Sequence, residues 1–202
     1  MRRTGYFCIA AAAMIVFSFS GLVRAQGPAP VAEQSFDVSL HLVLGSNEGA
    51  RGEMPSELSA VTKQIRSNFG FSNYRLASTF LGRISNSGSF EYKSVGNVFG
   101  PPSTADAQTF LEWSLGDFRT VPASVGPDSV QARAFRFGAK VPVVVGPAAG
   151  DGTKGAPIQY ESIGVTVGKF GVKQNAPTLI GTLNLPGTSG TIFLIMTVRS
   201  VD

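Results

Sequence analysis

The chain has 202 residues, with 17 Lys or Arg against 13 Asp or Glu, one histidine and one cysteine. A single cysteine excludes an internal disulfide, and a single histidine leaves little for a zinc site or a hydrolytic triad. With 43% hydrophobic and 15% charged residues, the chain is too apolar to stay disordered and long enough for one or two ordinary cores.

Residues 1–25 have the three zones of a secretory leader. Arg2 and Arg3 form a basic start, an apolar run follows from Tyr6 to Phe17, and Val23-Arg24-Ala25 ends in a small residue before Gln26. Ser18, Ser20, Gly21 and Arg24 break the run short of the ~20 apolar residues a bilayer span needs. No stable membrane span is therefore expected once the leader is gone, and the destination is periplasmic or extracellular. Cys8 lies too early for a lipoprotein cysteine, and the full twin-arginine pattern is missing, so export of an unfolded chain is expected. Cleavage would remove Arg2, Arg3, Arg24 and Cys8, leaving 14 basic against 13 acidic residues and no cysteine. No other stretch concentrates Lys or Arg, so nucleic acid is not an expected partner.

Residues 26–35, with Pro28 and Pro30, read as a solvated tether. In Phe36 to Leu42 the apolar residues alternate with Asp37, Ser39 and His41, which is the period of a half-buried strand. Leu58, Val61, Ile65 and Phe69 recur at helical spacing, so a helix is expected over 57–69, with Ser56 as cap and Gly70 as stop. Strands over 74–85 and 89–98 follow, joined by an Asn86-Ser87-Gly88 hairpin turn. Residues 36–99 thus read as a strand-helix-strand-strand unit.

Gly100-Pro101-Pro102-Ser103-Thr104 is the best internal boundary. Residues 105–202 read as an antiparallel β region, separate from the first unit or continuous with it. Its expected strands are 110–121, 129–137, 140–145, 158–167, 178–185 and 191–201, with a loop at 146–157 and a turn at 185–190. The fold class is mainly β (α+β), sandwich-like. The last strand is apolar on both faces at Ile192 to Met196. It must lie centrally between layers or have one face covered by a partner, and the first arrangement is favoured.

Catalytic patterns are thin, and no enzyme activity, metal or cofactor is expected. His41 reads as a surface histidine on the polar side of the first strand. No Gly-x-Ser-x-Gly elbow accompanies it. Glu112 and Asp117 share an expected strand, but their odd spacing sends them to opposite faces. Glu91 and Glu161 sit on distant strands. Gly146 to Gly155 is glycine-rich, yet Thr153 precedes Lys154 where a phosphate loop needs Lys before Ser or Thr. Asp151 has no neighbouring acids for calcium.

Aromatic and apolar residues are the remaining resource. Trp113 alternates with Leu111 and Leu115, the pattern of a core residue. Phe135 and Phe137 share a face with Arg133, opposite Arg136. The candidate binding residues are Trp113, Phe135 and Tyr160, for a carbohydrate or other small ligand, and Ile192 and Leu194, for strand addition by a protein partner.

Two segments carry a family resemblance. Leu58 to Leu76, ending Phe69-Gly-Phe-Ser-Asn-Tyr-Arg-Leu, resembles a helix-then-strand unit of bacterial envelope proteins related to accessory domains of type II secretion and pilus secretins. Val165-Thr-Val-Gly-Lys-Phe-Gly-Val, Thr178-Leu-Ile-Gly-Thr-Leu and Ile192-Phe-Leu-Ile-Met-Thr-Val are together similar to a closing β-ladder of secretin-type proteins. The long amphipathic pore hairpins of a secretin are missing, and no functional residue carries over. The resemblance implies an envelope-assembly setting. The expected function is an exported, non-enzymatic protein working through an envelope partner or self-association. The alternative is a sandwich that binds a carbohydrate or small ligand.

Overall fold

The computed structural model describes residues 34–48, 52–86, 88–99, 108–121, 129–146 and 157–201. The leader, most of the tether, the 100–104 boundary and the body of the 146–157 loop, with Asp151, Thr153 and Lys154, lie outside them.

The protein is mainly β, with antiparallel sheets in a sandwich-like arrangement and one short helix. Sheet A has the order β10-β11-β1-β2, where β1 is Ser35–Ser46, β2 Asn73–Ser85, β10 Thr178–Asn184 and β11 Thr191–Val201. Sheet B has the order β3-β4-β7-β8, from Phe90–Gly96, Thr109–Gly116, Ala134–Val144 and Ile158–Val167. A small sheet C joins β5, Arg119–Val121, to β6, Ser129–Ala132, and β9, Phe170–Lys173. Segments on either side of 100–104 are interleaved, because β1 and β2 share a sheet with β10 and β11.

Alternation explains the main core. Phe36, Val38, Leu40, Leu42 and Leu44 of β1 face the same way as Ile192, Leu194, Met196 and Val198 of β11. They pack against Leu111, Trp113 and Leu115 of β4 and Phe135, Phe137, Ala139 and Val141 of β7. Sheet C closes one end, where the Phe118 ring meets Phe36 edge-on at 5.1 Å, and Asn175 N–H donates to the Val198 carbonyl at 2.8 Å.

One end of the opposite face of sheet A is covered as well. A 3-10 turn, Ser56–Leu58, leads into helix α1, Ser59–Asn68. Leu58, Val61 and Ile65 pack on Val43, Tyr74, Phe193 and Ile195. Phe193 meets Phe69 edge-on at 4.9 Å. Gly45 is required beneath these rings: a Cβ there would come within 2.8 Å of Phe71 and 2.9 Å of Phe193. The expected Ser56 cap is not used; the tight first turn instead lets Leu58 N–H donate to the Pro55 carbonyl at 3.0 Å. Nor does Gly70 stop the helix, which ends as Phe69 turns extended and its carbonyl accepts the Tyr74 hydroxyl at 2.6 Å.

Both edge strands of sheet A carry one extra residue. The partner of β1 jumps from Ser78 to Leu76, leaving Ala77 over, and the partner of β11 jumps from Leu179 to Gly181, leaving Ile180 over. Each bulge switches parity, so Tyr74 faces the helix while Phe80 and Ile84 face the sandwich core.

Several boundaries differ from the sequence reading. Residues 74–85 and 90–96 do not form a hairpin. The chain changes sheets at the corner after Ser85, because β2 and β3 both turn apolar residues into one core. Strand 110–121 divides into β4 and β5 where Asp117 takes φ 50°, and 129–137 divides at Arg133. The expected gap before Lys140 does not exist, since β7 runs unbroken. Strand β9 was not expected. The turn at 185–190 does join β10 to β11, with Leu185 N–H donating to the Gly190 carbonyl at 2.9 Å and Gly187 at φ 71°.

Candidate functional site

Helix α1 and its flanks cover the second face of sheet A at its Val43 and Phe193 end, leaving Asp37 and Leu81 exposed at the other, whereas the outer face of sheet B carries no layer among the described residues. Register defines that face as cross-strand rows. Val95, Phe110, Lys140 and Ser162 form one row, and Lys93, Glu112, Gly138 and Gly164 the next. Glu91, Ser114, Arg136 and Thr166 form a third. The Gly138–Gly164 pair leaves the backbone bare at the centre. A Cβ on Gly164 would come within 2.9 Å of the Phe137 carbonyl. Above this floor lies an open groove of about 500 Å³, bordered by Lys93, Phe110, Glu112 and Lys140.

Apolar exposure is concentrated here. Among the described residues the exposed large hydrophobic side chains are Leu81, Val95, Phe110, Val144, Val145 and Tyr160. All but Leu81 lie at one end of sheet B. Phe110 and Tyr160, 46% and 42% exposed, meet edge-on at 5.7 Å. Charges surround the patch. Lys93 Nζ lies 3.0 Å from Glu91 Oε1. That hydrogen bond, then the charges of Glu91 and Glu112, raise the lysine pKa above its ordinary value.

Beyond Phe110 the sheet narrows to a ribbon. The last pair between β4 and β7 is Phe110–Lys140, so among the described residues Val141 to Val144 pair only with β8, and Val145 N–H donates to the Pro157 carbonyl at 2.9 Å. In β8 the four residues Gln159, Tyr160, Glu161 and Ser162 are all exposed.

Only one of the five candidate binding residues lies on this surface. Tyr160 is exposed, whereas Trp113, Phe135, Ile192 and Leu194 are core residues. Trp113 packs on Phe90 at 4.8 Å, and its indole N–H has no acceptor among the described residues. Phe135 is buried in the sandwich, with Arg133 exposed at the strand break beside it. Ile192 and Leu194 lie on β11, which sits between β10 and β1 and offers no edge for strand addition. The central position favoured from sequence holds. The surface residues that sequence reasoning missed are Val95, Phe110, Val144 and Val145. At Val95, Phe110 and Val144 the signal was an apolar residue at a polar position of the alternation, whereas Val145 lies past the end of β7.

His41 is not the surface residue expected. It is 4% exposed, because its face of β1 is the one that α1 and its flanks cover. Nδ1 lies 3.0 Å from Thr79 Oγ1. Burial lowers its pKa from the ordinary 6.5; the nearby Glu57 opposes that shift and Arg199 adds to it. Glu57 is itself paired with Arg199 at 3.2 Å. Among the described residues no group of three or more His, Cys, Asp or Glu could hold a metal ion. Glu91 and Glu161 stand on opposite edge strands of sheet B, with β4 and β7 between them. No described helix is long and apolar enough to cross a membrane.

No protein-family model matches the chain, and no curated protein matches it by sequence. Among solved structures the chain is similar to the Salmonella SPI-1 type III secretion injectisome secretin InvG (residues 176-end) in the open gate state, with TM-score 0.34 and 9% identity. The match covers 98% of this chain and 66% of that one, just under two thirds of its length.

Proposed function

We propose that this chain is an exported, non-enzymatic envelope protein that works through protein–protein contact, as an accessory to a secretion or pilus-like assembly. The observation that carries the reading is the gathering of Val95, Phe110, Val144, Val145 and Tyr160 at one end of sheet B. Contiguous exposed apolar side chains rimmed by charges mark contact surfaces, because leaving them in water costs about 25 cal/mol per Å². The three-zone pattern of residues 1–25 supports export. His41 meets the Thr79 hydroxyl in a buried position closed to a substrate, which supports a non-enzymatic role.

A photo-crosslinking amino acid at position 110 or 144, compared with one at the exposed helix position Ser67, tests this in the producing cell. Discrete adducts from 110 and 144, and none from 67, are expected. Equal or no labelling from all three positions overturns the reading.

A small-ligand reading has one observation in its favour, the paired Phe110 and Tyr160 rings beside Lys93, Glu112 and Lys140 over the glycine floor. Aromatic rings flanked by polar groups suit a saccharide. Titrating soluble glycans against wild type and Phe110→Ala by calorimetry decides it, since heat lost in the variant is the required result.

A further inference from the structure

We propose that the open edge of β8 pairs with β8 of a second copy of this chain, antiparallel about a two-fold axis through Tyr160. The proposal rests on the reading of the chain as a contact protein and names its partner. It begins from an asymmetry among sheet edges. An unguarded edge strand is a template for another strand, and proteins blunt such edges with bulges, Lys, Pro or short length. Edge β2 has Arg75, Arg83 and the Ala77 bulge, and β10 has the Ile180 bulge. Edge β3 is short and carries Lys93. Strand β8 has ten residues in unbroken register with β7, no Pro, no Lys or Arg and no bulge. Among the described residues no strand pairs with its other edge, and β10 comes close at Gly181 and Val165, beyond the Ile158 to Ser162 stretch.

The hydrogen-bond phase of the ribbon selects which backbone groups are free. Val145 bonds to Pro157, and hydrogen-bonded pairs alternate with non-bonded ones in an antiparallel ladder. Val143–Gln159 and Val141–Glu161 are therefore bonded pairs, while Val144–Ile158, Pro142–Tyr160 and Lys140–Ser162 are not. The N–H and C=O groups of Ile158, Tyr160 and Ser162 then point away from β7, to the open edge. The same phase turns the Pro142 nitrogen toward the side where β4 has ended. That side lacks a donor and is blunted, while the β8 side is not.

Centring the axis on Tyr160 satisfies these groups reciprocally. Tyr160 meets the partner's Tyr160, and Ile158 meets the partner's Ser162, giving about six backbone hydrogen bonds. In the close non-bonded position Gln159 stands opposite the partner's Glu161, amide beside carboxylate. Moving the axis to Glu161 would set two carboxylates face to face and oppose backbone groups already bonded to β7. The Tyr160 and Phe110 rings lie on the outer face beside the axis, so the apolar patch would continue across the joint.

Sedimentation velocity on the purified protein, over a concentration series, tests the pairing. Wild type is expected to dimerise. Tyr160→Pro, whose lost N–H serves no bond to β7, is expected to be monomeric with an unchanged circular dichroism spectrum. Gln159→Lys should tighten the dimer and Gln159→Glu should weaken it, each by at least about tenfold at low salt, with both effects fading in high salt. The opposite signs at one position identify this register even if the proline variant fails to fold. A monomeric wild type, or Gln159 variants that shift the equilibrium in the same direction, overturns the proposal. Crosslinking from position 110 separates the two levels: adducts to another envelope protein with a monomeric wild type would remove self-pairing and keep the contact reading, while no adducts would remove both.

Discussion

Sheets A and B are built from similar strands and finish differently. Sheet A has a helix layer on one face, the sandwich core on the other and a bulge in each edge strand. Sheet B is covered on one face, exposes Val95, Phe110 and Tyr160 on the other and ends in an unbulged edge. The difference teaches where stability and contact are divided. Both sheets build the sandwich core, but sheet A adds a second core beneath helix α1, while sheet B keeps its other face available.

The sharpest way to break this contrast is to truncate an apolar residue in each sheet. Phe193→Ala removes a ring packed against Phe69, Phe71 and Tyr74, and a loss of about 3–5 kcal/mol in denaturant unfolding is expected. Gly45→Ala should cost about 1–3 kcal/mol, because two rings must yield to one methyl group. A smaller effect concerns His41. Its folded-state pKa is depressed by burial, so below its ordinary 6.5 the unfolded chain binds a proton that the folded one resists. Stability is thus fully present above that value and declines as pH falls below it. The thermal midpoint of wild type should drop between neutral and mildly acid pH, and His41→Gln should flatten that drop. Last, Phe110→Ser and Val144→Ser should change stability by no more than about 0.5 kcal/mol, as exposed sites do. A large loss from either would mean that sheet B is not the open member of the pair.

How much of this was legible in the sequence depends on range. The alternation of Phe36 to Leu42 and the helical spacing of Leu58, Val61 and Ile65 are local, and the structure keeps both. The double-sided apolarity of Ile192 to Met196 gave the central place of β11. Period-two patterning reports which residues share a face, not which strand lies next door. The step from β2 to β3 therefore looked like a hairpin although it changes sheets, since both arrangements present the same alternation. His41 looked solvated because Asp37 and Ser39 share its side, and nothing local tells that helix α1 lies over that side's far end. The Ala77 and Ile180 bulges left no mark, since neither residue type is special to a bulge. Tyr160 was singled out as an aromatic, but its partnership with Phe110 reaches across the intervening strand β7 and needed the register.

One pairing has a consequence for how the molecule is made. Strands β1 and β11 are neighbours across the whole length of Ser35 to Val201, so the first strand waits for the last. Contacts so distant in sequence close slowly. Any machinery that receives this chain from its amino end handles an unfinished, threadable polymer until Thr191 to Val201 arrives.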